Sequence, residues 1–193
     1  NILKVVAVSD QTKVYGNAEP KLTYQATGFV NGDSNSIITG LLSRTAGENS
    51  GTYPITLGTL SAGANYTIDF KTSDFKITKA NQVIEWNQDL AFGCNTTDQV
   101  QLTASSNSGL PVSYVVENSS IAAIQGDVLK INRAGATTIK VSQEGDQNHN
   151  PAVQITKLIE VSQSGNISQY WEDTLLFDNS TKNYSSFQWY KNG

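Results

Sequence analysis

Cysteine is nearly absent from this 193-residue chain: Cys94 stands alone, so no disulfide can form within it. Small secreted eukaryotic domains lean on disulfides, which leaves a cytosolic protein or a bacterial surface protein as the expected classes. Only 16% of the residues are charged, and Asn, Thr, Ser and Gly are abundant, which favours the second. Methionine is missing and the chain starts at Asn1, which reads as a mature form or a fragment whose export signal has been removed. No apolar run is long enough to span a bilayer, and no signal-peptide pattern of basic, apolar and small-residue zones occurs, so membrane insertion is not expected. A basic stripe is lacking too. Residues 1–80 hold seven basic and six acidic side chains, residues 81–162 four and eight, and residues 163–193 two and three, for a net charge of −4. Without the electrostatic footprint that a phosphate backbone requires, nucleic acid is not an expected partner.

What the chain does have is alternation. Apolar residues recur with period two in short runs, the pattern of half-buried strands. Leu22/Tyr24, Tyr66/Ile68/Phe70 and Phe75/Ile77 form one series. Ile84/Trp86, Val100/Leu102/Ala104, Val112/Tyr114/Val116, Leu129/Ile131, Ile139/Val141 and Val153/Ile155 form another. Turn signals such as Asn31-Gly32-Asp33, Asn107-Ser108-Gly109 and Gln125-Gly126-Asp127 separate the runs. No segment keeps a helical stripe for three turns, so the fold class is all-β, built from tandem β modules. Residues 1–80 form a first, mixed-β module with at most one short helix, and residues 81–162 a second, a β-sandwich. The short helix would be capped by Asp33 or Ser34, pass through Ile37 and Ile38, stop at Gly40, and pack Ile37, Ile38 and Leu41 on the first sheet. At the seam near Ala80 there is no Pro- or Gly-rich spacer, so the last strand of one module is expected to run almost directly into the next.

Residues 163–193 read as the start of a further, incomplete module. Trp171, Leu175 and Phe177 suggest one strand and Phe187 with Trp189 a second, and the chain ends on Asn192-Gly193, a hairpin-turn signal. Such a piece leaves strand edges open, so it is expected to pack on the second module or pair with another chain.

Candidate chemistry is sparse. His149, the sole histidine, lies in a stretch that reads as a turn, a poor place for a buried and oriented base. Together with Cys94 it makes no metal cluster, and no cofactor is expected. Asp146, Asn148 and Asn150 fall at positions 1, 3 and 5 of a calcium-loop spacing, but Pro151 stands where glycine is required and Lys157 where the bidentate glutamate belongs, so calcium binding here is a weak expectation. Glu172 and Asp173 are adjacent and would point to opposite faces of a strand, unsuited to paired acid-base work. Six Asn-x-Ser/Thr matches read as chance in so polar a chain. No catalytic set emerges, and a non-enzyme is expected. Trp86, Trp171 and Tyr190 are the candidate ligand-binding residues if their rings are exposed for stacking on a sugar; core tryptophans would instead be buried.

Several spaced motifs carry a resemblance. Val14-Tyr15-Gly16, Pro20-Lys21-Leu22-Thr23-Tyr24, Gly28-Phe29-Val30-Asn31-Gly32-Asp33, Gly51-Thr52-Tyr53-Pro54-Ile55 and Asn65-Tyr66-Thr67-Ile68 occur in order, and residues 5–79 resemble the MBG domain family. Residues 82–161 resemble a bacterial Ig-like domain through Gly109-Leu110-Pro111-Val112-Ser113, Ile121-Ala122-Ala123-Ile124 and Ala134-Gly135-Ala136-Thr137-Thr138-Ile139. The pair implies a secreted or surface-anchored bacterial protein, at the cell surface or outside it, with a structural stalk or adhesive role. Host or cell-surface glycans or glycoproteins are the implied partners. A carbohydrate- or protein-binding module, or the accessory region of a secreted hydrolase, is the alternative. Neither family brings catalytic residues.

Overall fold

The structure, a computed structural model, describes residues 1–92, 99–162, 166–171 and 174–178, with residue 91 and the last two stretches described by backbone alone. Two compact units result. One comprises Asn1–Glu85 together with Ser105–Val112 and Ser142–Val153; the other comprises Trp86–Ala104, Ser113–Val141 and the described residues from Gln154 on.

The first unit contains β1 (Ile2–Ala7), β2 (Gln11–Val14), β3 (Tyr24–Thr27), β4 (Ser43–Arg44), β5 (Gly51–Thr56), β6 (Thr67–Lys71), β7 (Asp74–Thr78) and β8 (Ile84–Glu85). Two sheets follow, β3-β1-β6 and β2-β7-β5-β4. Strand alternation decides which residues build the core: Leu3, Val5 and Ala7 of β1 and Phe75 and Ile77 of β7 are buried, while Ile2, Lys4 and Val6 face out. Two pairings are parallel. β1 runs beside β6 from Ile2↔Thr67 to Val6↔Lys71, and β2 beside β7 from Gln11↔Phe75 to Val14↔Thr78. The opening and closing segments of the module therefore travel side by side, and both change sheet at the same level, at Ser9-Asp10 and at Thr72-Ser73.

The expected short helix is one 3₁₀ turn, Asn35–Ile37, with Ser34 as its N-cap. Asp33 is engaged elsewhere, accepting a hydrogen bond from the Tyr66 hydroxyl (2.9 Å). Gly40 takes the positive φ expected of it, +80°. Leu41 does not pack on the sheet: it is 55% exposed, and Leu42 is the buried neighbour. The reason is the extended path after Ile38, which alternates sides instead of continuing a helical face.

In the second unit lie β9 (Ala91–Phe92), β10 (Gln99–Gln101), β12 (Ser113–Val116), β13 (Ala122–Gln125), β14 (Val128–Ile131), β15 (Gly135–Ser142, its last residue counted with the first unit) and β16 (Ile155–Val161); β11 (Ser105–Ser106) belongs to the first unit, where it pairs with β8. The sheets are β10-β14-β13 and β12-β15-β16-β9. Both supply the core, with Leu129, Ile139, Val141 and Ile159 fully buried. Pro111 sits two residues before β12. A hairpin of β17 (Asn166–Trp171) and β18 (Thr174–Asp178) follows, so Trp171 and the Leu175/Phe177 pair fall on two strands, not one. Phe187 and Trp189 lie outside the described residues. The fold is all-β.

Candidate functional site

A constellation of polar side chains gathers beside the Tyr15-Gly16 turn. Tyr15 N–H donates to the Thr78 carbonyl (2.8 Å) and Asn17 N–H to the Val14 carbonyl (3.1 Å), closing a tight turn. Gly16 occupies its third position at φ +81° with open space around it, so the backbone angle and not crowding calls for glycine. The loop Gly145–Asn150 meets this turn. The Asp146 Oδ1 accepts from the N–H groups of Asn148 (2.8 Å) and His149 (2.7 Å) and from His149 Nδ1 (2.9 Å). These donors, the Asn148 N–H foremost, hold its carboxyl below the usual carboxylate range. The His149 ring then meets Tyr15 edge-on at 5.3 Å.

Backbone and side chains extend the clasp. Ala80 bridges His149, with Ala80 N–H donating to Asn148 O (2.9 Å) and Asn150 N–H to Ala80 O (2.8 Å). Lys79 Nζ donates to Asp146 O (2.6 Å), and Ser50 N–H to Asn148 Oδ1 (2.8 Å). Beneath them Gln82 is buried; its Nε2 donates to Gln143 Oε1 and Asn150 O, and its Oε1 accepts from the hydroxyls of Ser106 and Ser108. A buried amide satisfied on both ends selects one register for the loops that surround it.

Asp146, Asn148 and Asn150, the residues of the calcium-loop spacing, share this loop: Asn148 Oδ1 accepts from the Ser50 N–H, Asn150 Nδ2 donates to Asn81 Oδ1 (2.8 Å), and Asp146 Oδ1 accepts from three donors. The Lys79 ammonium also sits against the loop, where a cation would be repelled. His149, read as a loose turn histidine, is oriented by a carboxylate after all, but its ring faces Tyr15.

A second cluster joins Lys13 and Glu19, which flank the same turn in sequence, to Arg44 and Glu48. Arg44 binds Glu19 bidentately, Nε to Oε1 at 2.6 Å and Nη2 to Oε2 at 2.9 Å, and reaches Glu48 at 2.9 Å. Lys13 Nζ lies 2.8 Å from both carboxylates. The two cations are almost covered, with side chains 7% and 8% exposed, while the carboxylates remain wet. The guanidinium also stands over the rings of Tyr53 (5.0 Å) and Phe75 (5.3 Å). Arg44 accordingly holds the Glu19 carboxyl down to about 2. Two charges of each sign thus close on one another.

The described residues also form a surface depression of about 680 Å³, lined by Ser9, Asp10, Thr12, Thr52, Thr72, Ser73, Asp74, Lys76 and Thr78. It lies where the two parallel segments change sheet. Ser9-Asp10 and Ser73-Asp74 are the same dipeptide at matching levels of the two segments, since Gln11 and Phe75 are register partners. Thr12, Thr72 and Thr78 donate to backbone carbonyls. Every residue in its lining carries a hydroxyl, a carboxylate or an ammonium, and none is aromatic. Sequence reading missed it, because its signal is a repeated polar dipeptide and not an apolar period.

Trp86 is not an exposed stacking ring. It is 5% exposed, donates Nε1 to Gln88 Oε1 (3.2 Å), lies edge-on to Tyr114 at 5.9 Å and is covered by Lys157 Nζ at 4.6 Å from the ring. Burial of so large a ring in a small core is the physical reason. The Trp171 side chain, Tyr190, Cys94, Glu172 and Asp173 lie outside the described residues. Among the described residues no group of three or more His, Cys, Asp or Glu side chains converges on a metal-sized space.

Comparison with known families adds two matches. Residues 3–76 match the model of the MBG domain of the YGX type, which spans β1 into β7 and includes Tyr15-Gly16-Asn17. Residues 111–153 match the model of the N-terminal beta-sheet domain of hyaluronate lyase. No curated protein matches the chain.

Proposed function

We propose that this chain is a non-catalytic piece of a secreted or surface-anchored bacterial protein, a spacer that presents other domains and contributes to adhesion. The observation that carries this reading is the MBG match over residues 3–76, a module whose Tyr-Gly turn lies beside closed polar networks. The remainder of the reading takes residues 81–162 as an Ig-like sandwich. Clusters whose charges satisfy one another support a structural role, because a catalytic group needs a partner left free for substrate. Incubating residues 1–193 with hyaluronan and with a panel of neutral polysaccharides tests the point. No new reducing ends and no unsaturated uronate chromophore are expected; turnover that scales with protein concentration would overturn the assignment.

Residues 111–153 favour a second reading, an accessory region beside the catalytic domain of a secreted polysaccharide-degrading enzyme. In either setting glycans are the proposed partners, and the depression at Asp10 and Asp74 is the proposed contact. Two carboxylates, one ammonium and several hydroxyls can hydrogen-bond a neutral sugar, whereas their net negative charge disfavours an acidic one. A glycan array read with the unaltered chain and with Asp74→Asn/Thr52→Val decides it. Neutral-glycan signal lost in the double variant is expected, and equal signal from both proteins would remove this face from consideration.

A further inference from the structure

Beyond a passive spacer, we infer that residues 1–79 form a mechanical clamp, in which tension between the two ends of the module is taken in shear by the parallel pairs β1–β6 and β2–β7. The inference rests on the spacer reading for its purpose, and on strand topology alone for its physics.

The two segments that would receive the force are the first strand and the last. Pulling Asn1 away from Lys79 drags β1 backward along its own axis and β7 forward along its own. β6 is joined to β7 through Thr72-Ser73, so it is drawn forward with β7 while β1 is drawn back. β1 and β6 are aligned over five residue pairs, and β2 and β7 over four. Because the strands are parallel, the force runs along them and not across, and the hydrogen bonds of each pair must give way together. An antiparallel hairpin pulled from its open end yields one bond at a time.

Position within the sheets reinforces this. β1 is the middle strand of β3-β1-β6, and β7 lies inside β2-β7-β5-β4, so each end strand is held by a ladder on both sides. Each also carries the core, Leu3 and Val5 at 0% exposure on β1 and Phe75 at 0% and Ile77 at 1% on β7. Sliding either strand by one residue turns those side chains to solvent. At the entry, Thr67 N–H donates to Asn1 O (2.8 Å) and the terminal amine of Asn1 to Asn65 O (3.0 Å), extending the β1–β6 ladder to the point of attachment. The second unit repeats the arrangement on a smaller scale: β9 runs parallel to β16 through Ala91↔Glu160 and Phe92↔Val161.

Forced unfolding is governed by the unfolding rate along the pulling direction, so direction is the decisive variable. The test pulls the full chain, carrying Cys94→Ser, through handles on cysteines introduced by Asn1→Cys and Lys79→Cys, which load the parallel pairs in shear. A second chain carries Leu41→Cys and Thr59→Cys, flanking the antiparallel hairpin of β4 and β5, which is peeled from its open end. At one loading rate the shear geometry is expected to unfold in a single step at a force at least about twofold above the peel geometry. Equal or lower force in shear overturns the clamp. Such a result would leave the non-catalytic assignment standing, because that assignment falls only to turnover. Lys4→Pro, which removes one N–H from the middle strand while leaving an outward-facing side chain position, is expected to lower the shear force and leave the peel force unchanged; a shear force unmoved in a folded Lys4→Pro chain also counts against it.

Discussion

A single methyl group at residue 40 is enough to set two requirements against each other. Gly40 sits at φ +80°, and a Cβ there would run into the carbonyl and hydroxyl of Thr59, whose hydroxyl already accepts the Leu41 N–H (3.1 Å). Gly40→Ala therefore meets backbone strain and a clash at once, and is expected to destabilise the chain by about 1–3 kcal/mol, read as a shift in the chemical-denaturation midpoint. Glu19 makes a different residue-level prediction, in pH. Its carboxyl is held down to about 2 in the fold by Arg44, against an ordinary value of 4.5. A lowered folded pKa means stability present above the unfolded value and lost as pH falls from about 4.5 toward 2. Thermal melts across that window should show a steeper loss for the unaltered chain than for Glu19→Gln, which has no such proton to take up. Parallel curves would show that the Arg44 pair contributes nothing to the pH dependence.

At the scale of elements, the loop Gly145–Asn150 behaves as a strand partner without being a strand. Its order depends on Asp146, whose carboxylate collects the N–H groups of Asn148 and His149. Asp146→Ala is expected to raise amide exchange at Asn148, His149 and Ala80 by about tenfold or more while leaving β1 protected, since those bonds open locally. Unchanged exchange would mean the Ala80 bridge holds the loop unaided. Much of the element pattern was legible in sequence. Phe75/Ile77 and Leu129/Ile131 alternate because one face of each strand is buried, and Asn31-Gly32 takes positive φ at both residues in a tight turn, as its chemistry requires. β2 was not legible, because Gln11-Thr12-Lys13-Val14 has one apolar residue; its buried stem is that of Lys13, which only two distant carboxylates, Glu19 and Glu48, make tolerable. Parallel pairing was hidden for another reason: alternation shows which face is buried but not which strand lies alongside. The burial of Trp86 was not legible either, because composition cannot tell a buried ring from an exposed one, and calcium-loop spacing and an Asp-capped turn use the same residue types.

For the whole molecule, the two units imply a specific partition of stability. Residues 143–153 follow β15 in the chain, yet their partners are in the first unit: Gln143 with Gln82, Asn148 with Ser50, and His149 with Tyr15. Chain continuity would have the loop loosen whenever β15 loosens. Contact energetics would have it follow the first unit. Ile139 is fully buried at the centre of the second unit's core, so Ile139→Ala is expected to cost about 2–5 kcal/mol there through lost burial and the cavity left behind. Mild denaturant should then expose the amides of β14, β15 and β16 at concentrations where Asn148, His149 and Asn150 remain protected together with β1 and β7. If instead the loop amides exchange in step with β15, the clasp is an appendage of the second unit. In that case the Tyr15 contact is a consequence of folding there and not a brace on the first module. The two outcomes differ by which set of amides the loop joins, so hydrogen exchange on the one variant, followed residue by residue, separates them.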